Sequence, residues 1–225
     1  MKSATDQYRL RIAMAAINPT VGDLDGNSAE VVRAVAAAAQ EGAHLIVFPE
    51  MVLTGYPVED LALRSSFRQA SKKAIDALAT ELAEQGHGDL VAIVGYLDEA
   101  PAGGPQNVAA VIHGGHVKAI YIKTHLPNFG VFDEYRNFVA GDSTLVVRIH
   151  GVDVGEATLL RDVQRRAEEV HAATARELAC PLLLRGIHGG AVLVTWRHGA
   201  TVCAATCSPS TPRGDLWMTM GRPGG

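Results

Sequence analysis

Apolar and polar positions alternate in Leu10-Arg11-Ile12-Ala13-Met14, the period-two pattern of a strand. Asn18-Pro19-Thr20 and Gly22-Asp23 interrupt it and predict a loop. Asn27 or Ser28 is then placed to N-cap a helix, with Glu30 in its first turn, and the alanine-rich run Val31–Gln40 carries that helix to a stop at Gly42. His44-Leu45-Ile46-Val47-Phe48 is short, apolar and bounded by turn residues, as a buried strand is. Beyond the Thr54-Gly55-Tyr56-Pro57 loop, Leu61, Leu63, Phe67, Ala74, Leu78 and Leu82 recur at helical spacing and predict one long helix from about Glu59 to Glu84.

Leu90–Tyr96 reads as the next strand, and Ala100–Pro105 as a loop. Val108–His113 and Val117–Ile122 flank Gly114-Gly115, a hairpin signal. Pro127–Phe138 is rich in aromatics and reads as irregular; Leu145–Ile149 and Val152–Val154 are two further strands turning at His150-Gly151. Strands alternating with helices, followed by hairpin-linked strands, make this an α/β chain with a mixed sheet covered by helices.

The pattern changes at residue 155. A charged helical stretch from Ala157 to about Ala179 is followed by short apolar runs and a tail rich in Thr, Pro, Gly and Arg. The organisation is therefore a core over 1–154 and a divergent segment over 155–225, of the composition produced by a rearranged gene end or a GC-rich one read out of frame.

Composition narrows the function classes. The chain has 225 residues, 48% hydrophobic and 20% charged, with a net charge of −4, which excludes disorder for its bulk and gives no electrostatic reason to expect nucleic acid or an anionic membrane as partner. Met1–Tyr8 is polar, no apolar run reaches about 18 residues, and the three cysteines are odd in number, so a cytoplasmic protein without a disulfide framework is expected.

Two charged residues sit where strands end. Glu50 follows the Leu45–Phe48 run and Lys123 closes Ala119–Ile122. Each alone reads as a solvated loop acid or a surface lysine with a buried stem. Strand ends of an α/β sheet are also where ligands and reactive groups gather. The two become informative together with their surroundings: Phe48-Pro49-Glu50, Gly55-Tyr56-Pro57 with Glu59-Asp60-Leu61, and Lys123-Thr124-His125-Leu126-Pro127-Asn128-Phe129-Gly130-Val131-Phe132-Asp133-Glu134.

Over roughly residues 8–154 these segments resemble the nitrilase (carbon–nitrogen hydrolase) superfamily, and within it the glutaminase domains of bacterial glutamine-dependent NAD synthetases. The resemblance implies an αββα sandwich of the nitrilase type, incomplete after residue 155, and a Glu–Lys–Cys triad. Glu50 matches the general base and Lys123 the lysine. The chemistry explains the residue types: a thiol needs a carboxylate to take its proton, and the tetrahedral oxyanion formed on the glutamine side-chain amide needs a nearby positive charge. The carboxylic acid then protonates departing ammonia and, as a base again, activates water. Glu134 matches a second acid that positions the lysine, with a structural salt bridge as the alternative. Phe129 stands where many relatives have a tyrosine lining the glutamine pocket. Tyr56 is a further pocket candidate, or a core tyrosine.

The nucleophile is displaced. The pattern calls for a cysteine five residues beyond Val154, where this chain has Leu159. The His-Gly-x-x-Val shape of residues 150–154 recurs at 198–202, and five residues beyond Val202 stands Cys207, which makes Cys207 the candidate nucleophile unless the recurrence is coincidence. Cys203, Cys207 and His198 are three metal-ligand types in one stretch without a fourth, which argues against a metal site.

The expected reaction is glutamine plus water giving glutamate and ammonia, with no metal or organic cofactor. The Ser-Gly-Gly nucleotide motif of the relatives' synthetase domain is absent from the 225 residues, so no ATP site is expected here. The resemblance also implies a homo-oligomer. Two rival readings remain: a catalytically silent nitrilase-fold remnant or interaction module, and an amidase acting on another amide or a nitrile.

Overall fold

The computed structural model describes residues 10–126, 128, 133–143 and 145–150, and the strand segments 152–156, 182–185, 191–194, 202–207 and 217–221. Eleven strands among these form two sheets. The larger runs β11(Trp217–Gly221)-β10(Val202–Cys207)-β1(Leu10–Met14)-β2(Leu45–Val47)-β3(Val91–Glu99)-β4(Pro105–His113)-β5(His116–Ile122). The smaller runs β6(Leu145–Ile149)-β7(Val152–Glu156)-β8(Leu182–Arg185)-β9(Ala191–Val194). The central strands β1, β2 and β3 are parallel, and every other pairing is antiparallel. Strands from beyond residue 155 thus extend both sheets.

The near-continuous apolar runs of β1, β2 and β3 follow from burial on both faces. Ala13, Ile46, Ala92 and Val94 point to one side, where they pack on Val31 and Val35 of α1(Leu24–Gln40) and on Ile75, Leu78 and Leu82 of α2(Ser65–Glu84). Leu10, Ile12, Met14, Leu45, Val47, Val91 and Ile93 point to the other, where they meet Ile149 and Val154 of the smaller sheet. The order of layers is therefore helices, large sheet, small sheet. Each fully buried Leu, Ile or Val in these layers contributes about 1.5–3 kcal/mol. The rings of His44 and His150 stack at 4.0 Å beside the second layer.

Three boundaries differ from the sequence expectation. Helix α1 starts a turn earlier, at Leu24, because the Asp23 side chain accepts from the Gly26 N–H and caps it. Asn27 is not the cap: its carboxamide accepts from Thr20 N at 2.8 Å and donates to Thr20 O at 2.8 Å and Leu53 O at 3.0 Å, stitching the preceding loop to the turn beyond β2. The long helix is split into a 3-10 helix, Glu59–Leu63, and α2, because Arg64 is extended at φ −82° and ψ 113°. Buried Arg68 secures the break, donating to Ala62 O at 2.9 Å and to Glu99 Oε1 at 2.6 Å. The irregular segment before β6 contains a single helical turn, α3(Glu134–Asn137). The helix expected over 157–179 lies outside the described residues. The hairpin at Gly114-Gly115 forms with φ of 60° and 77°.

Candidate functional site

Glu50 stands in the turn that leaves β2 at its C-terminal end. The turn is pinned to β3: Phe48 N donates to Ile93 O at 3.0 Å and Leu53 N to Gly95 O at 3.1 Å. It lies so close that a Cβ on Gly95 would come within 2.4 Å of Met51 N and 3.0 Å of Pro49 O. Only glycine allows that approach without a backbone shift, so β3 sets the position of Glu50.

Lys123 directly follows β5. Its N–H donates to Asn107 O on β4 at 2.9 Å, and its carbonyl accepts from Gly141 N at 2.9 Å. The side chain turns inward. Lys123 Nζ donates to Glu50 Oε1 at 2.7 Å and to Glu134 Oε2 at 2.7 Å, and the three side chains are 15%, 13% and 3% exposed. Tyr56 OH donates to the other Glu134 oxygen, Oε1, at 2.8 Å. Beneath them lies a small apolar cluster of Met51, Val58, Ala62, Leu97 and Phe138, against which Tyr56 and Leu126 pack.

The electrostatics follow from two carboxylates sharing one ammonium in a largely dry place. Burial works to lower the Lys123 pKa, but Glu50 and Glu134 outweigh it, and the ammonium is held above its ordinary value. Glu134 is raised above the ordinary carboxylate range by its burial and by the neighbouring Glu50 charge, with Lys123 and Tyr56 pulling the other way. Burial and then the Glu134 charge push the Tyr56 phenol far above its usual range, which keeps it a neutral donor. The cluster can therefore hold one fixed positive charge beside a carboxylate, the pairing needed to move a proton and to stabilise an oxyanion.

Of the residues singled out from sequence, Glu50, Lys123, Glu134 and Tyr56 converge. Phe129 and Leu159 lie outside the described residues. Cys207 does not join them. Its backbone pairs with Leu10, at the N-terminal end of β1, whereas Glu50 leaves the opposite end of the parallel strand β2. Strand β10 is two places from β2 in the sheet, about 10 Å at the usual strand spacing. Cys203, on the same strand, pairs with Met14 at the C-terminal end of β1. Among the described residues no group of three or more His, Cys, Asp or Glu is arranged to hold a metal ion, and no helix is long and apolar enough to cross a membrane.

One residue of the site was missed. Asn107, 4% exposed, donates through Nδ2 to Glu50 Oε1. A signal was present: Gln106-Asn107 is a polar pair inside a strand, and buried asparagine there demands a partner.

Comparison with known proteins bears on the fold and the family. The chain is 39% identical over 160 residues to a glutamine-dependent NAD(+) synthetase of Thermotoga maritima, an alignment that takes in 71% of this chain and 27% of that protein. The chain thus spans about a quarter of the length of that relative. In structure it superposes on glutamine-dependent NAD+ synthetase of Acinetobacter baumannii with a TM-score of 0.69 at 21% identity, covering 96% of this chain and 48% of the other. A nitrilase-superfamily amidase of Nesterenkonia superposes with a TM-score of 0.54 at 22% identity over 65% of this chain and 54% of that one. These neighbours share the nitrilase-type α/β fold. The carbon-nitrogen hydrolase family matches residues 11–213, nearly the whole chain and every described strand but β11, and the chain belongs to that family.

Proposed function

We propose that the chain is a glutamine amidohydrolase domain of the kind that supplies ammonia to an NAD synthetase. The observation that carries the reading is the ammonium of Lys123, held 2.7 Å from both Glu50 and Glu134 at the strand ends of a carbon-nitrogen hydrolase fold. In this reading Glu50 takes the proton of an attacking thiol, and Lys123 stabilises the oxyanion formed on the side-chain amide of glutamine. Glu50 then returns the proton to the departing nitrogen, releasing ammonia, and afterwards draws a proton from water to hydrolyse the thioester to glutamate. Tyr56 and Glu134 hold the lysine.

A second reading rests on a specific observation. Leu159 stands where the resemblance places the family's cysteine, and the β10 register sets Cys207 opposite Leu10, at the other end of the parallel strands from Glu50. A site with the acid and the ammonium but no thiol binds an amide without turning it over.

Ammonia release from glutamine by the purified chain separates the two. Release that disappears in Glu50→Gln supports hydrolysis. Calorimetric binding of glutamine without release supports the silent site. Neither binding nor release of glutamine, with hydrolysis of another amide or a nitrile, moves the substrate to that class. Covalent labelling by a thiol-reactive glutamine analogue, mapped by mass spectrometry, identifies the cysteine if there is one; labelling of Cys207 would contradict the register described above.

A further inference from the structure

We infer that Asn107 is a positioning residue that clamps Glu50 by Oε1 and thereby leaves Oε2 as the oxygen that exchanges the proton. The inference rests on the amidohydrolase reading for its chemical consequence and on geometry for the clamp itself.

Three observations converge on Asn107. Its side-chain amide donates to Glu50 Oε1, the same oxygen that accepts from Lys123 Nζ. Its backbone carbonyl accepts from Lys123 N at 2.9 Å, so one residue fixes both the base and the start of the lysine side chain. It is 4% exposed on β4, where its backbone lies between Leu97 of β3 and Lys123 beyond β5. A buried carboxamide in that place has a reason to exist through its partner, because an unpaired one carries the full desolvation penalty of its polar groups.

The consequence follows from lone pairs. With Asn107 and Lys123 both donating to Oε1, that oxygen is committed to charge-assisted hydrogen bonds. Among the described residues no donor is recorded on Oε2. The proton of the nucleophile therefore passes to Oε2, and from Oε2 to the leaving nitrogen, without disturbing the Lys123 pair. Rotation of the carboxylate, which would exchange the two oxygens, is resisted by the carboxamide. Lys123 alone could follow such a rotation on its flexible stem; Asn107, short and anchored in a strand paired on both sides, does not.

The test has a spectroscopic arm and a kinetic arm. In a 15N–1H spectrum of the full chain, the Asn107 carboxamide, assigned by its loss in Asn107→Asp, is expected to have one proton shifted downfield by the carboxylate. That shift should vanish in Glu50→Gln while the backbone amides of β3 and β4 stay in place. An Asn107 carboxamide insensitive to Glu50→Gln overturns the clamp. In ammonia release, Asn107→Ala and the isosteric Asn107→Asp should each lower kcat by about tenfold or more with KM for glutamine within about twofold of the original, as expected when a base is misaligned. Variants that lose thermal stability yet keep kcat would make Asn107 structural only and overturn the inference. If the unmodified chain releases no ammonia, the amidohydrolase reading fails, and the spectrum alone decides the clamp.

Discussion

Lys123 Nζ stands 2.7 Å from Glu50 Oε1, although the two residues are 73 positions apart in the chain. The contact depends on β4, which lies between the Glu50 turn and the end of β5. Removing the ammonium leaves two buried carboxylates facing one another. Lys123→Met is expected to lose about 3–5 kcal/mol of stability at neutral pH, because an uncompensated buried charge costs more than the pair contributes. Urea unfolding measures it. The double variant Lys123→Met with Glu50→Gln should recover part of the loss, and an unchanged urea midpoint in the single variant would contradict the pairing.

The pH dependence has a definite sign. The folded-state pKa of Lys123 lies above its ordinary 10.5, so its contribution to stability is complete below 10.5 and disappears as pH rises through the folded value. Subtracting the urea midpoints of Lys123→Met from those of the original chain should give a difference that, once the carboxylates have titrated, is flat up to about pH 10 and shrinks above it. A difference that grows with alkalinity would reverse the assignment. Glu134 acts with the same sign from a lower start: its raised pKa makes stability fall as pH rises from 4.5 through the folded value.

Gly95 is predicted to be intolerant of a methyl group. The added Cβ would meet Met51 N at 2.4 Å, and the only relief is movement of the turn that carries Glu50. Gly95→Ala should lose about 1–3 kcal/mol, in the range of overpacked sites. It should also disturb the Glu50 cluster before the core unfolds, seen as a changed Asn107 side-chain signal below the melting temperature.

Asn27→Ala should be costly for a polar substitution. It breaks hydrogen bonds to both polar backbone atoms of Thr20, partly shielded from solvent, and to the buried Leu53 O. A loss of about 2–4 kcal/mol is expected from stranding these groups. Hydrogen exchange should show the Thr20 amide and the turn after β2 opening first. Protection equal to the original chain at Thr20 would disprove the stitch.

The strands and helices were legible where burial imposes a period. The two-sided runs of β1 to β3 and the apolar stripes of α1 and α2 announce themselves in the order of residues. The break at Arg64 did not, because it is made by tertiary bonds of Arg68 to Ala62 and Glu99, and the helical spacing runs straight through it. Asn27 was read as a cap for a similar reason: asparagine suits a helix start, and only the fold reveals that its partners lie at Thr20 and Leu53. In the site, Glu50, Lys123 and Glu134 stood out through their motifs. Asn107 was missed because its partner is 57 residues away, and no local pattern announces such a partner. Cys207 was drawn from a repeated local pattern, which carries no information about strand order.

The register of β10 on β1 has a bearing on solubility. Leu10 to Met14 pair residue for residue with Cys207 to Cys203, and β11 then covers β10. A shortened chain ending at 154 would turn β1 into a bare edge of five residues, apolar throughout one face at Leu10, Ile12 and Met14. Such an edge recruits strands from other molecules and seeds aggregates. Whatever chemistry these two strands hold, the backbone of Val202–Cys207 and Trp217–Gly221 shields the parallel core from self-association.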